Sequence, residues 1–409
     1  MIDRSQTPGN SPPMKSYNPI LSEYGTTIFT VMSALATEHG AINLGQGFPD
    51  RDGPEDIRQV AADTSMDGPN QYPPMMGIPA LRQAVAAHNK RFYDLDVDWQ
   101  SQVMVTSGAT EAIAAALFGL VEPGDEVVAI EPTYDCYLPI LRRAGAIPKL
   151  VRVAPPDWKL PLDDLAAAFS DKTKLILINS PMNPASKVFG ADELAFIAGL
   201  LQKYDAYAIC DEVYEHMVYD GRRHIPLMTL PGMARRCLRI GSAGKTFSMT
   251  GWKVGYTTGP AALITAAAKA HQFLTFTTAP NLQSAVAYGL GKDDAYFASL
   301  GADMEAKRDR LANGLRDIGF AIMPSEGTYF LTADFQTIAN RTGFNGDDAA
   351  FCKHITTQAG VAAVPFSAFY QGDANSDANS DVNHFIRFCY CKEDALLDAA
   401  VEKLAAFFK

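Results

Sequence analysis

From about residue 100 to residue 260, short uninterrupted apolar runs alternate with longer stretches in which apolar positions recur every three or four residues. The runs at 103–106, 126–130, 174–178, 207–210, 237–240 and 253–257 predict strands buried on both faces, the mark of a mostly parallel sheet covered by helices. Residues 111–120 predict one covering helix, and residues 28–35 a short amphipathic helix ahead of the sheet. Past residue 300 the pattern changes to a long charged helix at 303–315, strands near 329–331 and 385–388, and a closing helix at 393–407. The chain therefore reads as α/β: an N-terminal arm (1–50) packing with the smaller unit, a large domain (51–300) with a mostly parallel sheet, and a smaller α+β domain (301–409).

Composition narrows the classes. With 47% hydrophobic and 20% charged residues over 409 positions, the profile is globular. A net charge of −11 without a basic cluster argues against nucleic acid as a partner. The first ten residues hold no apolar targeting core, and no segment approaches the roughly 20 apolar residues that span a bilayer, so a cytoplasmic enzyme without a membrane partner is expected. The six cysteines show neither CxxC pairs nor histidines at zinc-ligand spacing. They are expected to be reduced, with no metal bound. The aspartates and asparagines at alternate positions from Asp373 to Asp381 imitate a calcium loop, but Ala378 stands where the sharp turn needs glycine and His384 where a bidentate glutamate belongs. A flexible polar surface loop fits better.

In an open α/β sheet, ligands bind beyond the carboxyl ends of the strands, and chemistry-bearing residues gather there in this chain. After the first run, Ser107-Gly108-Ala109-Thr110 opens a helix whose free N–H groups suit a phosphate. After the second, Tyr134 offers a ring for stacking on a flat heterocycle. After the third, Asn183 before Pro184 supplies an amide donor on a rigid turn. The fourth run ends in Asp211, costly to bury unless it faces a cation such as a protonated pyridine nitrogen, with Tyr214 three residues on. The fifth leads through Ser242 to Lys245, with Lys253 eight residues further. A lysine so placed can form a Schiff base with an aldehyde while hydroxyls and the second cation hold a phosphate. Arg387, inside the apolar run Phe385-Ile386-Arg387-Phe388, needs an anionic partner, either a structural carboxylate or that of a substrate.

Together these segments, with Asn43-Leu44-Gly45-Gln46-Gly47-Phe48-Pro49-Asp50 and Asn70-Gln71-Tyr72-Pro73-Pro74, resemble the class I aminotransferases of pyridoxal-phosphate fold type I, within them the kynurenine, glutamine and methionine aminotransferase group. The resemblance runs nearly end to end. It implies pyridoxal 5'-phosphate as cofactor, Lys245 as the Schiff-base lysine, Asp211 under the pyridine nitrogen, and Asn183 and Tyr214 on the phenolate oxygen. Tyr134 is implied on the ring, and Ala109, Thr110, Ser242 and Lys253 on the phosphate. Tyr72 would reach the phosphate of the other subunit, which implies a homodimer with shared sites. Gly47 and Arg387 would hold the substrate carboxylate, with Phe29, Tyr72, Tyr134 and Phe276 as pocket walls that offer no second cation for a dicarboxylate. Cis bonds are implied at Glu131-Pro132 and Asn183-Pro184.

The reaction so implied moves the amino group of a neutral aromatic, sulphur-containing or glutamine-like L-amino acid to a 2-oxo acid by a ping-pong route. The alternative on this scaffold is a cysteine-conjugate carbon–sulphur β-lyase. Two departures stand out: Asn183-Pro184-Ala185-Ser186 where many relatives have Asn-Pro-Thr-Gly or Asn-Pro-Leu-Gly, and Thr110 where some kynurenine enzymes carry an aromatic.

Overall fold

A computed structural model describes residues 15–371 and 379–409. Residues 1–14, with the expected absence of a targeting segment, and most of the acid-rich loop lie outside the described residues. The loop's far end is not free: Asn379 is buried and accepts a hydrogen bond from Arg152, which also pairs with Asp381 at 2.6 Å.

Among the described residues, thirteen strands form three sheets. The central one comprises β2 (Val103–Thr106), β3 (Glu126–Glu131), β4 (Ile147–Arg152), β5 (Thr173–Asn179), β6 (Tyr207–Asp211), β7 (Cys237–Ser242) and β8 (Gly255–Thr258), in the order β2-β8-β7-β6-β5-β3-β4. All neighbours are parallel except β8, which runs antiparallel to both β2 and β7. The continuous apolar runs follow from burial on both faces. Val128, Ile130, Ile176, Ile178, Ala208 and Cys210 pack into one core. Their alternates Val127, Ala129, Leu175, Leu177 and Ile209 pack into another beneath the helix Ala109–Leu120.

The sequence pattern misses β4 and places the start of β8 two residues early. As an edge strand β4 tolerates Pro148 and the polar Lys149 and Arg152, which break the apolar run. Lys253 is not in the strand but adopts the left-handed region at φ +53°.

The smaller part is a four-stranded antiparallel sheet of β9 (Ala321–Ile322), β10 (Phe330–Asp334), β12 (Val364–Pro365) and β13 (Phe385–Cys389), in the order β12-β13-β10-β9. The arm joins it: β1 (Ile42–Asn43) pairs in parallel with β11 (Val361–Ala362), and Met32, on the helix Ile28–Glu38, and Leu44 are buried in its core. The charged helix is longer than its sequence core, Asp294–Ile318, and runs through the expected boundary at residue 300. No helix among the described residues is long and apolar enough to cross a membrane.

The six cysteines are unpaired. His88, Glu215 and His216 do come together, yet the two imidazoles bond each other at 2.8 Å and Glu215 is engaged by Tyr93 and Arg239. The bonds Glu131-Pro132 and Asn183-Pro184 are cis, as are Pro155-Pro156 and Ser180-Pro181.

Candidate active site

At the carboxyl ends of β5, β6 and β7, facing the start of the helix Ala109–Leu120, lies a cavity of about 260 Å³. Its floor is backbone-built. Gly108 caps the helix at φ +83°, and a Cβ on Gly255 would come within 2.6 Å of the Gly108 carbonyl carbon, so the starts of helix and β8 touch. The left-handed turn at Lys253 lays its side chain across Gly108, within 3.2 Å of where a Cβ would stand. An ammonium beside unpaired helix N–H groups makes a seat for an anion. Ala109, Thr110 and Ser242 line the same end.

Opposite stands Asp211, the last residue of β6. Its side chain is buried, and Tyr137 donates to its Oδ2 at 2.5 Å. Burial pushes the carboxyl up to about 6 against the opposing effect of that hydrogen bond. The Asn179 amide donates to the Asp211 carbonyl at 2.9 Å and its oxygen accepts from the Asn183 N–H at 2.7 Å, which fixes the turn carrying Asn183. Beneath Asp211, the buried Arg239 is paired with both Glu212 and Glu215, anchoring the segment that bears Tyr214.

Lys245 sits on the short helix Ala243–Thr246 after β7, its Nζ donating to the Tyr329 hydroxyl at 2.9 Å. Tyr329 in turn donates to the Gly47 carbonyl at 2.7 Å. Burial lowers the Lys245 pKa, so its amine loses the proton more readily than an exposed lysine does.

A second cavity, about 280 Å³, shares Gly47, Tyr134, Asn183, Tyr214 and Lys245 with the first and adds Phe29 and Arg387. Arg387 is 1% exposed. One Nη donates to Asn183 Oδ1 and the other to the Gly45 carbonyl, each at 2.9 Å, while Nε has no partner. Its carbon lies 3.9 Å from the centre of the Phe330 ring, with Phe29 and Phe369 nearby. No carboxylate among the described residues pairs with it, and burial lowers its pKa to about 10.

Twelve of the fourteen residues singled out from the sequence therefore line these two joined cavities. Tyr72 and Phe276 do not: they meet edge to face at 5.5 Å, and Tyr72 is 85% exposed. Among the neighbours not singled out are Tyr137 and Asn179 in the lining and Tyr329, which bonds Lys245. A further cavity of about 820 Å³ adjoins at Thr27, Phe29 and Asp135, and its wall carries a cation, Arg142, bonded to the Tyr24 hydroxyl at 3.0 Å and 3.8 Å from the Glu23 carboxylate.

Two lysines, a buried carboxyl and an anion seat around one slot beside an aromatic ring fit a flat, phosphorylated pyridine aldehyde, and with this sheet they define a pyridoxal-phosphate enzyme. The chain belongs to the class I and II aminotransferases, whose family model matches residues 39–404. It is similar to a probable N-succinyldiaminopimelate aminotransferase DapC from Mycobacterium tuberculosis, 47% identical over 94% of this chain and 97% of that one. It is also similar to the methionine aminotransferase of Escherichia coli (39% identical, 94% and 96% covered) and to human kynurenine–oxoglutarate transaminase 3 (37%, 93% and 88%). The solved N-succinyldiaminopimelate aminotransferase of M. tuberculosis superposes with a TM-score of 0.91 at 45% identity, covering 96% of this chain and all of that one. The protein is thus a pyridoxal-phosphate-dependent aminotransferase acting on amino and 2-oxo acids.

Proposed function

We propose that the chain takes the amino group from a neutral L-amino acid with an aromatic, sulphur-containing or glutamine-like side chain and passes it to a 2-oxo acid in two half-reactions. The observation that carries this reading is Arg387, a buried guanidinium without a carboxylate of its own. Burying a charge unpaired costs several kcal/mol, so the anion it awaits is best supplied by substrate. Phe29 and Phe330 flank it with apolar surface.

The cofactor, when bound, supplies an electron sink conjugated to the substrate's α-carbon. The chain does the rest. Lys253, Ser242, Ala109 and Thr110 would hold the phosphate, Asp211 would keep the pyridine nitrogen protonated, Asn183 and Tyr214 would donate to the phenolate oxygen, and Tyr134 would cover the ring. Lys245 would hold the cofactor's aldehyde end and, with its amine free, would move the α-proton. Gly47 and Arg387 orient the α-carboxylate. Tyr72 and Phe276, exposed together on one chain, would complete the neighbouring site of a homodimer.

Asp211 gives this assignment a pH signature. A carboxyl raised to about 6 by burial is protonated below that pH and has no charge to pair with a protonated pyridine nitrogen. The cofactor-free protein should then lose affinity for pyridoxal phosphate by up to about tenfold per unit as pH falls below 6. Titration of the wild type beside Asp211→Asn, by quenching of protein fluorescence, checks it: an equally steep fall in the variant would remove Asp211 from the role.

Arg142 favours a second reading, a donor whose long side chain ends in a carboxylate, in keeping with the name of the mycobacterial relative. A donor panel separates the two. Methionine, phenylalanine, kynurenine and glutamine should exceed 2-aminoadipate and N-succinyl-diaminopimelate in kcat/KM by about tenfold or more, the discrimination that a pocket of this type supplies. The reverse order would favour the Arg142 reading, and pyruvate released from cysteine conjugates without an oxo acid would show β-lyase chemistry.

A further inference from the structure

The end of β13 carries a feature that transamination does not use. Cys389 and Cys391, two residues apart and so on one face of the extended chain, hold their sulfurs 3.2 Å from each other. A disulfide places them about 2.05 Å apart, so closure needs an approach of only about 1.2 Å. Cys391 lines a cavity of about 380 Å³ that also reaches Tyr329 and Lys392, which brings a small oxidant to the Cys391 side of an otherwise buried pair. Burial by itself would raise the Cys389 thiol, but the hydrogen bond from Cys391 and the charge of Lys392 outweigh it and bring it below the usual thiol value, while burial raises Cys391. One sulfur of the pair is thus readily ionised. The other close thiols, Cys210 and Cys237, lie in the closed core behind the sheet.

The segment is also braced against the arm on both sides of Gly47. The Cys389 N–H donates to the Leu44 carbonyl at 2.6 Å, and Lys392 Nζ to the Phe48 carbonyl at 2.7 Å. Between them, the Tyr390 N–H donates to the carbonyl of Tyr329, whose hydroxyl bridges Lys245 and Gly47.

We propose that Cys389 and Cys391 form a reversible oxidation site that takes hydrogen peroxide and closes to a disulfide, loosening the arm's grip on the substrate carboxylate. The thiolate sulfur attacks one peroxide oxygen, the O–O bond breaks, and the released hydroxide takes a proton to leave as water. The second sulfur then attacks the resulting sulfenic acid, the S–O bond breaks, and a second water leaves. Two thiols and one peroxide become one disulfide and two waters, with two electrons passing from sulfur to oxygen.

The test uses the holoenzyme, treated with peroxide, alkylated and digested with trypsin. Residues 388–392, bounded by Arg387 and Lys392, form one peptide that contains both thiols. It should appear unalkylated and two hydrogens lighter, and revert with dithiothreitol. The KM for the amino donor should rise by at least about threefold with a smaller change in kcat, and the Cys391→Ser protein should keep its KM through the same treatment. Recovery of both thiols alkylated, addition of oxygen without a bridge, or a bridge at Cys210 and Cys237 instead would each overturn the site. A bridge that formed without any change in KM would overturn its coupling to the arm.

Discussion

Lys245→Ala is expected to lower turnover by at least about ten-thousand-fold, the upper range for a positioned acid–base group, because covalent attachment and proton transfer are lost together. The fold should survive. The side chain's hydrogen-bonding partner is the Tyr329 hydroxyl, which keeps its bond to Gly47. The variant should also still bind pyridoxal phosphate, since Lys253, Asp211 and the start of the helix Ala109–Leu120 are untouched. Borohydride treatment followed by intact-mass measurement should fix cofactor to the wild type and none to the variant. Turnover within tenfold of wild type would remove Lys245 from the centre of the reaction.

Arg387→Ala leaves the donor's α-carboxylate in a buried site without its charge partner, a loss of about 2–5 kcal/mol, or roughly thirty-fold to several thousand-fold in kcat/KM. Methionine and phenylalanine should suffer alike, because they share the carboxylate and differ only beyond the β-carbon. Arg387→Lys should also be costly, since a point charge cannot reproduce the planar fork that reaches Asn183 and Gly45. Cofactor affinity, measured by absorbance titration, should barely move. A variant that lost cofactor or melted early, with full activity per folded site, would make Arg387 a structural cation instead.

Much of the site is legible in the chain because an α/β sheet delivers its ligands at predictable places. Asp211, Asn183, Tyr134 and Lys245 each follow an apolar run at or within a few residues of its end, so strand pattern and side-chain chemistry point to the same positions. Tyr137 and Tyr329 escape this logic. Each is a buried aromatic in an apolar stretch, which is what a core residue looks like, and only the fold brings their hydroxyls to Asp211 and Lys245. Arg142 escapes because its cavity forms between the arm and the helix Tyr137–Arg143, segments far apart in sequence. The departure Ser186 has a local explanation. It occupies the left-handed region at φ +57°, where glycine would be at ease, and its hydroxyl bonds the Phe330 carbonyl at 2.7 Å, tying the turn after Asn183 to the smaller sheet.

The two hydrogen bonds of Arg387 span 204 and 342 positions of the chain. Contacts of such separation close late in folding, since a long loop must be ordered before they form. The residues around the cofactor slot, from Gly108 to Lys253, leave the ribosome well before residue 387 is made, and synthesis proceeds at only about 5–20 residues per second. A nascent chain therefore passes through an interval in which the seat for the cofactor has been synthesised while the clamp for the substrate has not. On the proposed assignment of Arg387, the chain is equipped to seat its cofactor before it is equipped to grip its amino acid.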